Sequence, residues 1–70
     1  MIRLPVSSST ILSVGYDPQT RVMQVEFKSG RVYNYFDISE HLYQQFMNTS
    51  SKGQFLDENI KYNYRYQKVE

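Results

Sequence analysis

Arg21-Val22-Met23-Gln24-Val25-Glu26-Phe27-Lys28-Ser29-Gly30-Arg31-Val32-Tyr33-Asn34-Tyr35 decides the fold. Met23, Val25 and Phe27 alternate with Val22, Gln24 and Glu26, the period of a strand buried on one face, here expected over Arg21 to Phe27. The loop that follows sets which way the next strand faces. A tight loop of Ser29 and Gly30 alone pairs Val25 with Asn34 and drives that amide in among apolar side chains. A loop of Lys28, Ser29 and Gly30, with Gly30 supplying the left-handed bulge conformation, pairs Val25 with Tyr33, Met23 with Tyr35 and Gln24 with Asn34. The second register keeps polar with polar, and a slip of one residue reverses every face. It places Tyr33 and Tyr35 on the core-facing side.

Working outward, Leu12, Val14 and Tyr16 alternate with Ser13 and Gly15, which predicts a preceding strand over Ile11 to Asp17. Asp17-Pro18-Gln19-Thr20 joins the two strands as a turn, with proline presetting one backbone angle and the aspartate able to bond amides two residues on. Ser7-Ser8-Ser9-Thr10 reads as a linker between a short N-terminal piece and the rest. From Ile38 to Asn48 the period changes: Ile38, Leu42 and Phe46 recur one helical turn apart, with Tyr43 and Met47 beside them. Asp37 or Ser39 can cap this helix, and Asp37 is favoured because Glu40 completes a capping box with it. A second short helix, capped by Ser50 or Ser51, is expected to run to about Asn59 with Phe55, Leu56 and Ile60 inward. Lys61 to Val69 returns to period two, a final strand with Tyr62, Tyr64 and Tyr66 on one face.

The expected fold is therefore α+β: an antiparallel meander of three to four strands with two helices packed on one face, one domain over residues 1–70. Its core is expected to hold Leu12, Val14, Met23, Val25, Phe27, Tyr33, Tyr35, Leu42, Phe46, Phe55 and Ile60. With 70 residues, 40% of them hydrophobic, the chain buries only about 60% of its unfolded surface, so its stability is a few kcal/mol. Eight Lys and Arg against seven Asp and Glu leave a net charge of +1, too little to attract nucleic acid or anionic lipid by overall field. Any electrostatic function is local. No apolar run is long enough for a signal peptide or a membrane span, so a soluble, cytoplasmic chain with no membrane partner is expected.

Val6-Ser7-Ser8, Gly15-Tyr16-Asp17, Met23-Gln24-Val25-Glu26-Phe27 with Gly30 after it, Tyr33-Asn34-Tyr35, and Ser51-Lys52-Gly53 followed by Phe55 and Ile60-Lys61 stand in an order and spacing that resemble the KTSC domain family. This is a small module found alone in bacterial and phage proteins and at the C-terminus of some lysyl-tRNA synthetases. The resemblance spans nearly the whole chain and marks Tyr33, Tyr35, Ser51 and Gly53 as family motif positions. Ser39, Thr49 and Asp57 depart from the proline, alanine and asparagine of the family pattern. The family has no established activity, and its association with a tRNA synthetase implies RNA as a ligand.

The residues themselves exclude several chemistries. With no cysteine and one histidine, His41, a zinc site of Cys and His cannot be assembled, and no metal is expected. Asp57 and Glu58 diverge by about 100° around a helix. A nucleophile needs a base and a group to orient it, and nothing in the sequence brings Ser7, Ser8 or Ser9 to His41. Neither a P-loop nor a dinucleotide fingerprint is present, so no cofactor is expected and the chain reads as a non-enzyme.

Seven tyrosines are the conspicuous feature. Tyr33 and Tyr35 can serve as a stacking platform for bases, or as core with their hydroxyls at the wet edge, and the register favours the core. Lys61-Tyr62-Asn63-Tyr64-Arg65-Tyr66-Gln67-Lys68 interleaves cations with rings, which suits a groove that tracks phosphates and stacks bases. It equally suits an edge strand protected by its charges. Lys28 and Arg31 flank the Gly30 turn and Lys52 stands beside Gly53; clustered with Lys61, Tyr64, Arg65, Tyr66 and Lys68 they make a basic surface. Ser51-Lys52-Gly53 suits an anion at a helix start, or an ordinary cap with glycine allowing close helix packing. A non-catalytic module that binds structured RNA such as tRNA is the leading expectation. The alternative is a small phage or mobile-element protein that docks on a host protein through its tyrosine-rich edge strand. A weak homodimer formed through that edge is the third.

Overall fold

Val25 pairs with Tyr33, Met23 with Tyr35 and Gln24 with Asn34, the register that matched polar with polar. The Phe27 amide donates to the Arg31 carbonyl at 2.9 Å, and Gly30, at φ 98°, closes the loop of Lys28, Ser29 and Gly30. The computed structural model describes all 70 residues. Its elements are β1 (Leu4–Pro5), β2 (Ile11–Asp17), β3 (Val22–Phe27), β4 (Val32–Tyr35), α1 (Glu40–Asn48), α2 (Lys52–Phe55) running into a π-helical turn (Leu56–Ile60), and β5 (Tyr66–Lys68). The strands form one antiparallel sheet in the order β1-β2-β3-β4-β5, an α+β fold. No helix is long and apolar enough to cross a membrane.

The sheet has five strands, where three to four were expected. Ser8 Oγ accepts from the amides of Thr10 and Ile11, each at 3.2 Å, and so turns the supposed linker back on itself. Leu4 then pairs with Val14, and the N-terminal piece becomes an edge strand. Gly15 is required where that piece crosses β2: a Cβ there would stand 2.8 Å from the Ile2 carbonyl oxygen.

Leu12, expected in the core, is 45% exposed. Ile11 pairs with Phe27 but Ser13 with Glu26, so Leu12 is the extra residue of a β-bulge. The bulge hands the core position to Ile11 while Val14 keeps its own. Of the remaining expected core, Val14, Met23, Val25, Tyr35, Phe46 and Ile60 are buried, joined by Ile11, Ile38 and Leu56, and Phe27, Tyr33, Leu42 and Phe55 pack against them half-buried.

Ser39, not Asp37, caps α1, its Oγ accepting from the Leu42 amide at 3.0 Å. Asp37 sits at φ 63°, in the left-handed region, and Ile38 after it is buried in the core before the extended Ser39 starts the helix. The Ile38 carbonyl is held by the Tyr16 hydroxyl at 2.6 Å, and the Tyr16 ring stacks on Tyr43 of α1 with centroids 4.5 Å apart. Neither Ser50 nor Ser51 caps the second helix through its side chain, and the Lys52 ammonium donates to the carbonyl of Thr49, the residue that closes α1, at 2.8 Å. Gly53 meets the β1–β2 loop rather than a helix, since a Cβ would lie 2.9 Å from Thr10 Oγ1. The Lys61 amide reaches back to Leu56 at 2.8 Å, which widens the last turn.

The C-terminal strand is shorter than the expected Lys61 to Val69. The amides of Asn63 and Tyr64 both bond the Ile60 carbonyl, so the chain keeps winding past the helix before it extends. Tyr62, Tyr64 and Tyr66 consequently do not share one strand face.

Candidate functional site

Residues paired across strands share a face, so Phe27, Tyr33, Tyr35 and Tyr66 all stand on the side of the sheet that carries the helices. The helices cover the part around Val14, Met23 and Val25. Between the β3–β4 loop, β5 and the end of the π-helical turn, the same face opens into a cavity of about 520 Å³. Its aromatic lining is a connected set: Tyr33 lies 5.8 Å from Phe27, 6.3 Å from Tyr35 and 5.7 Å from Tyr66, centroid to centroid. Tyr62, 80% exposed, and Tyr66, 56% exposed, also line it.

Three cations rim the cavity, Lys28, Arg31 and Lys61. Lys28 and Arg31 have no carboxylate partner. Lys61 Nζ stands 4.0 Å from Asp57 Oδ1 and 5.5 Å from the centre of the Tyr62 ring. The Lys28 amide donates to the Thr10 carbonyl at 2.9 Å, which brings Ser9 and Thr10 to the rim. Burial, reinforced by the neighbouring Tyr33, Asp57 and Tyr66, pushes the Tyr35 phenol up to about 12. Burial also raises Tyr43.

The structure thus brings Lys28, Arg31, Lys61 and Tyr66 together with the motif tyrosines Tyr33 and Tyr35. Lys68 pairs with Tyr33 on the same face but outside the lining. The others are elsewhere. Tyr64 packs half-buried on the core, the Arg65 guanidinium lies 4.8 Å over the Phe36 ring, and Lys52 is spent on the Thr49 carbonyl. Ser51 and Gly53 stand at the start of α2 and do not line the cavity, although Gly53 packs against Thr10 at its rim. His41 is exposed on α1, and Ser8 is occupied as a turn acceptor.

Phe27 was not expected at the site, and Tyr62 was expected there only as part of the Lys61 to Lys68 segment. Phe27 obeys the core alternation, and only the limit of helix cover leaves its ring half-open. Tyr62 looked like one of three rings on a strand.

The opposite face of the sheet makes a useful contrast. There Arg3 bonds Gln24 at 3.2 Å and lies 3.9 Å from Glu26, Gln24 bonds Asn34 at 3.0 Å, and Ser13 bonds Glu26 at 2.7 Å. Its polar groups answer one another. The helix-side cavity instead sets Lys28 and Arg31, which have no carboxylate partner, beside aromatic rings, an arrangement that can neutralise phosphate and stack a planar ligand.

Fold and site together define a small α+β domain built on a tyrosine-rich sheet. The chain belongs to the KTSC domain family, whose profile matches residues 7–67. The crystal structure of a KTSC domain protein from Yersinia pestis superposes with a TM-score of 0.95 at 42% identity, covering 99% of this chain and 97% of that one. An uncharacterised protein of Stutzerimonas stutzeri is 32% identical over 71 residues, spanning both chains completely. A lysine–tRNA ligase of a Nostoc species is 32% identical over 66 residues, which cover 94% of this chain but 12% of the ligase.

Proposed function

We propose that this protein is a non-catalytic binding module and that its ligand is RNA, held at the cavity between the β3–β4 loop and β5. The observation that carries the reading is the convergence of Lys28, Arg31 and Lys61 on an open cavity lined by Tyr33, Tyr35 and Tyr66. Cations supply counterion release on phosphates, and the rings supply stacking. The presence of a similar segment within lysine–tRNA ligases, which act on tRNA as their name says, favours RNA over other polyanions. A cytoplasmic location goes with that ligand and rests on the same reading.

The test is an NMR titration of labelled protein with a mixed tRNA pool at low and moderate salt. Shifts centred on Lys28, Arg31, Tyr33, Lys61 and Tyr66 that fade with added salt are expected, with Lys52 unmoved. Silence at low salt, where even weak phosphate contacts register, would sink the proposal.

One observation favours a second reading. β5 is a terminal strand of the sheet with all three residues exposed, so its free backbone edge can add a strand from another protein or a second copy of this chain. Such docking responds little to salt and shows in the amides of Tyr66 to Lys68 rather than at Lys28 and Arg31.

A further inference from the structure

Tyr35 is the most enclosed group of the cavity, 1% exposed, yet its hydroxyl has no hydrogen-bond partner in the protein. By contrast, the Tyr16 hydroxyl is anchored on the Ile38 carbonyl. No fully buried side-chain polar atom in the structure lacks a partner, so the Tyr35 oxygen keeps a small accessibility, and Tyr35 is one of the residues that line the cavity. A phenol in this position is a donor waiting for an acceptor.

Building on the RNA reading above, we propose that the cavity takes a single unpaired nucleobase of a single-stranded RNA segment, with the Tyr35 hydroxyl donating to an acceptor on the base edge. The volume of about 520 Å³ lies in the range of sites for nucleoside-sized ligands. A base pair in an A-form duplex keeps its ring faces stacked and its deep groove closed to side chains, so it cannot reach a donor at the cavity floor. An extruded base can, and the exposed rings of Tyr62 and Tyr66 give it a surface to stack on. Lys28, Arg31 and Lys61 at the rim then meet the phosphates on either side of the bound base. A tyrosine phenol is protonated throughout the physiological pH range, so the Tyr35 hydroxyl is available there as a donor.

The experiment compares fluorescence anisotropy of a labelled mixed-sequence single-stranded RNA with the same strand annealed to its complement, at low salt, for the full chain and two variants. The single strand is expected to bind about tenfold tighter than the duplex, the gain of one stacked base. Tyr35→Phe keeps the ring and removes the donor, and is expected to weaken the single strand about three- to tenfold while leaving the duplex unchanged. Tyr62→Ala alters an exposed ring that folding does not need, and is expected to weaken the single strand alone. Equal binding of strand and duplex, with NMR shifts at Lys28, Arg31 and Lys61, overturns the base pocket while the RNA reading stands. Uridine or adenosine monophosphate binding as tightly as the strand overturns it in favour of a free-nucleotide site. Absence of binding by either RNA form removes the RNA reading itself, and this proposal with it.

Discussion

Asp57 Oδ1 lies 4.0 Å from Lys61 Nζ, one helical turn away, so a rim cation of the tyrosine cavity is shared with a carboxylate. Both side chains are substantially exposed, and the pair is a weak one. A phosphate arriving at the rim therefore competes with Asp57 for Lys61.

Asp57→Asn is expected to raise RNA affinity about two- to fivefold at low salt, since the exposed pair it removes is worth no more than that. The gain should vanish as salt screens both interactions. Anisotropy titrations at two salt concentrations check this, and an unchanged affinity at low salt would place Lys61 outside the contact.

Salt dependence counts the cations that meet phosphate. With Lys28, Arg31 and Lys61 engaged, the slope of log affinity against log salt is expected to be about −2, since single strands lose about 0.7 per contact. Lys28→Ala or Arg31→Ala should reduce its magnitude by about 0.7 each. Lys52→Ala should leave it unchanged, because that ammonium is bound to the Thr49 carbonyl.

The β-bulge predicts opposite outcomes at adjacent residues. Ile11→Ala empties a fully buried site and is expected to cost about 2 to 5 kcal/mol, whereas Leu12→Ala should stay within about 0.5. Phe46→Ala, which removes a buried ring stacked edge-on with Phe55, should cost about 3 to 5 kcal/mol and unfold so small a domain. Urea denaturation followed by circular dichroism separates these outcomes. A Leu12 variant as unstable as the Ile11 variant would mean that the strand carries no bulge.

Tyr35 makes stability fall in alkali. Its phenol holds its proton up to about pH 12 in the folded chain, while an unfolded tyrosine releases it near 10. The folded state thus binds more protons in that window, so the stabilisation is whole below about pH 10 and drains away towards pH 12. Ultraviolet titration of phenolate should show a late component that disappears in Tyr35→Phe. If that variant titrates like the parent, Tyr35 is not the late group.

Local chemistry carried much of this molecule. The alternation from Met23 to Phe27 and the demand that Gln24 meet Asn34 determined the hairpin register and the side on which Tyr33 and Tyr35 stand. Asp17 likewise announced its turn, accepting from the Gln19 amide at 2.9 Å, and that bond holds its carboxyl below the usual carboxylate range. Period four from Leu42 to Phe46 placed α1.

What the tertiary structure alone decided is where regular patterns break. The Leu12 bulge, the left-handed Asp37 and the winding of Lys61 to Tyr64 around the Ile60 carbonyl each depend on a partner distant in sequence or on packing against the core, which a periodicity cannot express. The candidate site belongs to the same class. Lys28, Arg31 and Lys61 meet only because β5 returns beside β4 and the helices stop short of Tyr33, so the cavity is a property of incomplete cover. Residue types named its parts; the reach of two short helices across a five-stranded sheet left it open.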